Sequence, residues 1–167
     1  MTKLLLLLLS ATLLSQTAAA LTSDRDQPIT IEADSAYVDD VQGITIYTGN
    51  AIIVQGTLNI NADKVKVIMS DSEVVQIIAS TNSASKGLAH YEQMPEDDEA
   101  LVSADAKIIT YFIQEERLHL TGDAHLQQTQ DKFSGELLYY DMTTGVVELK
   151  GGKAGRVAIT LQPKKKN

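Results

Sequence analysis

Four acidic side chains recur in one local setting, an apolar residue, any residue, a small residue and then the acid: Ile31-Glu32-Ala33-Asp34, Ile60-Asn61-Ala62-Asp63, Val102-Ser103-Ala104-Asp105 and Phe133-Ser134-Gly135-Glu136. If the segments carrying them stack, Asp34, Asp63, Asp105 and Glu136 form a carboxylate row, which would bind calcium or cut a polysaccharide by paired acid and base. The local account is that each acid follows a small residue at a turn, where a carboxylate caps backbone amides and adds solubility. No aromatic platform or activated partner accompanies the acids along the chain, which favours capping over catalysis. His119 and His125 flank Thr121-Gly122-Asp123, which reads as a turn, so they would face each other across a hairpin. Zinc needs a third and a fourth ligand, and only His90 and acids remain. Solvated histidines, with no metal and no cofactor, are the expectation.

What positions these residues is a repeat. Thr48-Gly49-Asn50-Ala51 returns as Thr121-Gly122-Asp123-Ala124, and at the same spacing Ile60, Val65 and Val67 return as Phe133, Leu138 and Tyr140. After each small residue of the four-fold unit, apolar residues fall at the third and fifth positions: Ala36 and Val38, Val65 and Val67, Leu138 and Tyr140. The third copy is shifted, with Ile109, Tyr111 and Ile113 at the fifth, seventh and ninth. Odd steps from the small residue put it and the apolar side chains on one strand face, because successive side chains alternate. Short strand-forming runs separated by turn formers fill the chain from Pro28: 29–33, 44–47, 51–55, 58–62, 64–69, 74–79, 101–104, 107–113, 117–120, 124–128, 132–135, 137–142, 146–149 and 156–161. Asp34 to Asp39 alone hints at a helical turn. The fold class is therefore all-β, a stack, sandwich or barrel.

The first residues stand apart. Lys3, the apolar run Leu4 to Leu14 and Ala18-Ala19-Ala20 read as a secretory signal peptide, residues 1–20; the run is shorter than the roughly 20 residues a bilayer span needs. A mature chain of about 147 residues fits one domain, assigned to 21–161. It contains no cysteine, so core and ladders rather than disulfides must hold an exported protein of this kind. The formal net charge of −8, one unit more negative without Lys3, argues against nucleic acid and anionic lipid surfaces as partners. The soluble periplasm is the expected compartment. Residues 162–167 read as a frayed basic tail. The first and last strands, Ile29-Thr30-Ile31 and Val157 to Leu161, carry no charge or proline, so both sheet edges look open to pairing with another chain.

Asp26 to Asp34 (DQPITIEAD), Thr48 to Val65 (TGNAIIVQGTLNINADKV) and Leu120 to Gln128 (LTGDAHLQQ), in that order behind a leader, resemble the OstA-like family of periplasmic lipopolysaccharide-transport proteins. The similarity runs from about Leu21 to Gly152. It implies a twisted open β-jellyroll with a hydrophobic interior that accepts the acyl chains of lipid A, without enzymatic activity or cofactor. It also implies end-to-end assembly into a head-to-tail homo-oligomer between the membranes. The N-terminal edge strand would meet an inner-membrane Lpt component, and the C-terminal edge strand the outer-membrane Lpt translocon.

Taken by itself, a greasy strand face is a closed core; with the resemblance, it becomes a lengthwise slot. The repeat phase selects Ile29, Ile31, Val38, Ile53, Ile60, Val65 and Val67 in the first half, and Ile109, Tyr111, Ile113, Leu118, Leu120, Leu126, Phe133, Leu138 and Tyr140 in the second, as lipid-facing. The resemblance marks Ile29, Ile31, Tyr111 and Ile113 most closely, and Tyr91 less so. Lys64, Lys66, Lys107 and Arg117 are rim candidates for phosphate or sugar. Aspartate at Ile31 or Tyr111 is expected to weaken lipid binding with little loss of fold. The alternative is a β-repeat module that binds or cleaves polysaccharide through its outward acids.

Overall fold

The computed structural model describes residues 24–82, 87–94, 100–152 and 155–163. The expected leader, the loop 95–99 and the last four residues of the tail lie outside them. After one 3-10 turn, Asp24–Asp26, the described chain is strand: β1 (Thr30–Glu32), β2 (Ser35–Asp39), β3 (Ile44–Gln55), β4 (Leu58–Ser70), β5 (Glu73–Ser80), β6 (Ala89–Gln93), β7 (Val102–Ala106), β8 (Ile108–Phe112), β9 (Arg117–Gln128), β10 (Asp131–Asp141), β11 (Val146–Lys150) and β12 (Ala158–Thr160). Ser35 to Asp39 is thus strand, where the sequence hinted at a helical turn. β6 was not expected at all.

The duplication is exact in its spacing. An offset of 73 residues carries β3 onto β9, residue 44 to 117 and residue 55 to 128, and carries the first residues of β2, β4 and β5 onto those of β8, β10 and β11. It also corrects the phase of the third unit. Ala33 corresponds to Ala106 rather than Ala104, so Ile109 and Tyr111 fall at the third and fifth positions and the apparent shift disappears. Asp34 then corresponds to Lys107, and a cation breaks the carboxylate row.

Four long strands, β3, β4, β9 and β10, run through two layers. Their one halves build the layer β2-β3-β4-β5-β8-β9-β10-β11, and the other halves build β1-β3-β4-β6-β7-β9-β10-β12. All pairings in both are antiparallel. The crease between the layers lies at the motif that sequence reading took for turns. Thr48-Gly49-Asn50-Ala51 is a bulge inside β3, where the register to β4 slips between Thr48 and Ala51. Thr121 to Ala124 is the same bulge in β9, opposite Gly135 and Leu137. Gly49 and Asn50 have φ of 84° and 45°, and Gly122 and Asp123 of 78° and 50°. That left-handed backbone suits Gly, Asn and Asp and bends a strand sharply. The small residues of the repeat are direct register partners beside the crease, Ala51 opposite Ala62 and Ala124 opposite Gly135.

Asp34 serves this corner. The Asp34 amide donates to Gly49 O at 2.9 Å, and its carboxylate accepts from Asn50 Nδ2 at 3.1 Å. A Cβ on Gly49 would sit 2.1 Å from Asp34 Oδ2. Gly49→Ala is therefore expected to cost about 2 kcal/mol, from the left-handed backbone and the displaced carboxylate, read as a lower denaturation midpoint. Gly145→Ala, with open space around its Cβ, should lose only the backbone part.

Candidate functional site

Because directly paired residues share a sheet face, the register resolves the interior into rows that cross each layer from edge to edge. In the first layer one row is Val38, Thr45, Val67, Ile77, Tyr111, Leu118, Tyr140 and Val147. Beside it runs Ala36, Tyr47, Val65, Ala79, Ile109, Leu120, Leu138 and Leu149. In the second layer Ile31, Ile53, Ile60, Tyr91, Ala104, Leu126, Phe133 and Ile159 line up.

The structure brings nearly all the sequence candidates together. Ile53, Ile60, Val65, Val67, Ile109, Tyr111, Leu118, Leu120, Leu126, Leu138 and Tyr140 are buried in one cluster, and Ile29, Ile31, Ile113 and Phe133 pack against it partly buried. Val38 is 58% exposed. It points to the same side as Thr45 and Val67, but it stands on an edge strand with no strand beyond it among the described residues, so correct phase does not bury it. Sequence reading missed Leu58, Ile77 and the alanines of the crease, and it ranked Tyr91 low because β6 went unrecognised between two polar loops. Tyr91 is fully buried, with its ring 5.4 Å from that of Tyr111 in an edge-to-face contact. This pair joins the layers, and the interior is filled by its own side chains. For Tyr111 the expected tolerance of aspartate is thereby overturned, because a carboxylate there would be buried.

Burial pushes the Tyr111 phenol up to about 12, outweighing the lowering by Arg25. Burial, then Tyr111 and Tyr140, hold Tyr91 well above its ordinary value. The fold thus keeps both phenols protonated, whereas the unfolded chain ionises near pH 10. Stability from Tyr111 is fully present below pH 10 and is lost as pH rises from 10 towards 12, and Tyr91 adds a loss of the same sign above pH 10. Denaturant midpoints measured from pH 8 to 12 should show the fall, and Tyr111→Phe should shallow it.

The rim candidates separate. Lys64 and Lys66 alternate with buried Val65 and Val67 and face outward, and Lys107 lies along the crease against Gly122. Arg117 alone stands at the end of the layer away from the crease, paired with Asp141 at 3.2 Å and Glu115 at 3.3 Å. His119 and His125 do not face each other, because they lie on one strand on either side of the bulge. His119 packs against Phe112 and Tyr139, ring centroids 4.7 and 4.6 Å away, on the outer face. His90 Nδ1 meets Asp105 Oδ1 at 2.9 Å, and His125 Nε2 meets Asp123 Oδ1 at 3.1 Å. Among the described residues no group of three His, Asp or Glu side chains is placed to hold a metal ion. Asp63 accepts from the Asn82 amide at 2.9 Å, a capping role.

Among the described residues both layers end in open edges: β1 and β2 pair only with β3, and β11 and β12 only with β10. The sequence pointed to β1 and β12, and the second pair of edges, β2 and β11, emerges from the fold. Gln162, the first residue of the expected tail, is tied by its amide to Asp131 Oδ1 at 2.9 Å.

The same arrangement exists in known proteins. Residues 30–146 match the family described as LptA/(LptD N-terminal domain) LPS transport protein. The lipopolysaccharide export system protein LptH of Pseudomonas aeruginosa is 33% identical over 166 residues, 95% of this chain and 92% of the relative. LptA of Escherichia coli K12, of the same description, is 32% identical over 159 residues, 94% of this chain and 84% of the relative. The crystal structure of the P. aeruginosa LptH, described as the LptA homologous periplasmic component of the lipopolysaccharide transport device, superposes with a TM-score of 0.73 at 28% identity, covering 84% of this chain and 99% of that one. A creased, twelve-stranded antiparallel sheet with apolar inner rows, matched at this coverage, places the chain in the LptA/LptD N-terminal domain family of LPS transport proteins.

Proposed function

We propose that this chain is a periplasmic lipopolysaccharide carrier, one link of an end-to-end bridge between the membranes, and that lipid A acyl chains lie between its two layers. The observation that carries the reading is that the inner apolar rows do not stop inside the protein but run to its open edges. Val38 on β2 and Ile159 on β12 end their rows 58% and 52% exposed, while the row ends Ile31, Val147 and Leu149 are partly buried against the core. Each layer has eight strands, all antiparallel, so a second copy in the same orientation presents β1 antiparallel to β12 and β2 antiparallel to β11. Stacked copies would extend the backbone ladders and make the rows continuous from one copy to the next.

Each acyl methylene buried contributes roughly 0.8 kcal/mol, so a partial opening of the layers offers useful affinity without a catalytic step. The test is binding of labelled lipopolysaccharide to purified mature protein, with lipid-free polysaccharide as competitor. Binding that the sugar leaves untouched is expected; competition by the sugar would move the site to the outward acids and the Phe112–His119–Tyr139 stack.

A further inference from the structure

Opposite the crease, the two layers meet at a mouth, and one short segment spans it. The turn Asp24–Asp26 reaches the second layer through Asp24, a carboxylate only 9% exposed. It accepts from the Thr57 amide at 2.7 Å, the Thr57 hydroxyl at 2.5 Å and Gln93 Nε2 at 3.1 Å. The β3–β4 turn is shaped around this group, since Gly56 has φ +58° and a Cβ there would fall 2.0 Å from Asp24 Oδ1. The next residue reaches the first layer. Arg25 donates to Ile113 O at 3.0 Å and to Glu116 Oε1 at 2.5 Å, in the turn between β8 and β9. Directly beneath lie Tyr91, whose hydroxyl donates to Gln93 Oε1 and lies 3.7 Å from Met142 Sδ, and Tyr111.

We infer that this turn is a clasp over the mouth and that acyl chains enter there when it opens; this rests on the carrier reading above. The two attachments are unequal. Asp24 is 9% exposed and accepts from three donors, so releasing it would leave those donors of Thr57 and Gln93 without their acceptor. The Arg25–Glu116 side chains are 46% and 43% exposed, and exposed ion pairs are weak and weaken further with salt. The clasp therefore stays on the second layer and lets go of the first. The crease, with its left-handed bulges, acts as the hinge, and Tyr91, Tyr111 and Met142 are the first apolar groups an entering chain meets.

The chain has no cysteine, so spin labels at Met94→Cys and Thr144→Cys, exposed positions at the mouth on opposite layers, report its width in the full-length mature protein. Arg25→Ala should broaden the label distances toward longer values and speed lipopolysaccharide uptake several-fold, with little change in Tm; Arg25→Lys should restore most of the unsubstituted behaviour. High salt should mimic Arg25→Ala in the unsubstituted protein. Unchanged distances and uptake in Arg25→Ala, with lipopolysaccharide still bound, overturn the clasp and leave the carrier standing. Widened distances in a protein that takes up no lipopolysaccharide overturn the carrier and the entry role together, keeping only the mechanical closure.

Discussion

Tyr111→Asp is expected to lower Tm by about 15 °C or more, while Ile31→Asp leaves a folded protein that binds lipopolysaccharide at least about tenfold more weakly. Both residues belong to the inner rows and both face the proposed lipid, so phase alone does not separate them. Their depth does. Tyr111 is 4% exposed, paired edge-to-face with Tyr91 across the layers. Replacing it removes an aromatic side chain, a change that typically costs about 3–5 kcal/mol, and buries a carboxylate among apolar neighbours on top of that. For a domain of this length each kcal/mol moves Tm by roughly 3–4 °C. Ile31 sits in a three-residue edge strand, partly buried, where a carboxylate turns toward water and the fold loses about 1–2 kcal/mol. It still places a charge where an acyl chain would lie. Thermal melts followed by circular dichroism, beside a lipopolysaccharide-binding assay on the same preparations, check both halves. A stably folded Tyr111→Asp would contradict the closed interior, and full binding by Ile31→Asp would contradict the slot.

The second large effect concerns assembly. Thr30→Pro and Ile159→Pro should each weaken the proposed head-to-tail assembly by breaking the β1–β12 ladder and leaving only β2–β11, and an equimolar mixture of the two should form mainly dimers. β1 and β12 have three residues each, and a proline in so short an edge strand removes a donor and disturbs the local geometry. Thr30→Pro spoils the β1 end and keeps β12, and Ile159→Pro does the reverse, so the mixture contains one good junction. Sedimentation of each variant and of the mixture, across protein concentrations, distinguishes this from pairing by like edges. Like-edge pairing would let each variant dimerise through its intact end.

Much of this architecture was legible in the residue order. Alternation marked most strands, and the returning Thr-Gly-Asn/Asp-Ala segment marked an internal duplication. The duplicated phase picked out Ile53, Ile60, Val65, Leu120 and Leu138, all now in the core. Strand side chains alternate by geometry, so a one-dimensional pattern is enough to say which residues share a face. The same pattern cannot say what lies opposite that face. Gly49-Asn50 and Gly122-Asp123 have the residue types that left-handed backbone requires, and a reversal and a bulge require it equally. Only the pairing of β3 with β4 and of β9 with β10 on both sides of these residues makes them bulges within continuous strands. Tertiary structure also decided Tyr91 and the clasp. β6 is too short to announce itself by periodicity, and its burial comes from β4 and β7 on either side. Arg25 meets Glu116, 91 residues away, a contact that no local spacing encodes because it exists only once the sheet has folded over its crease.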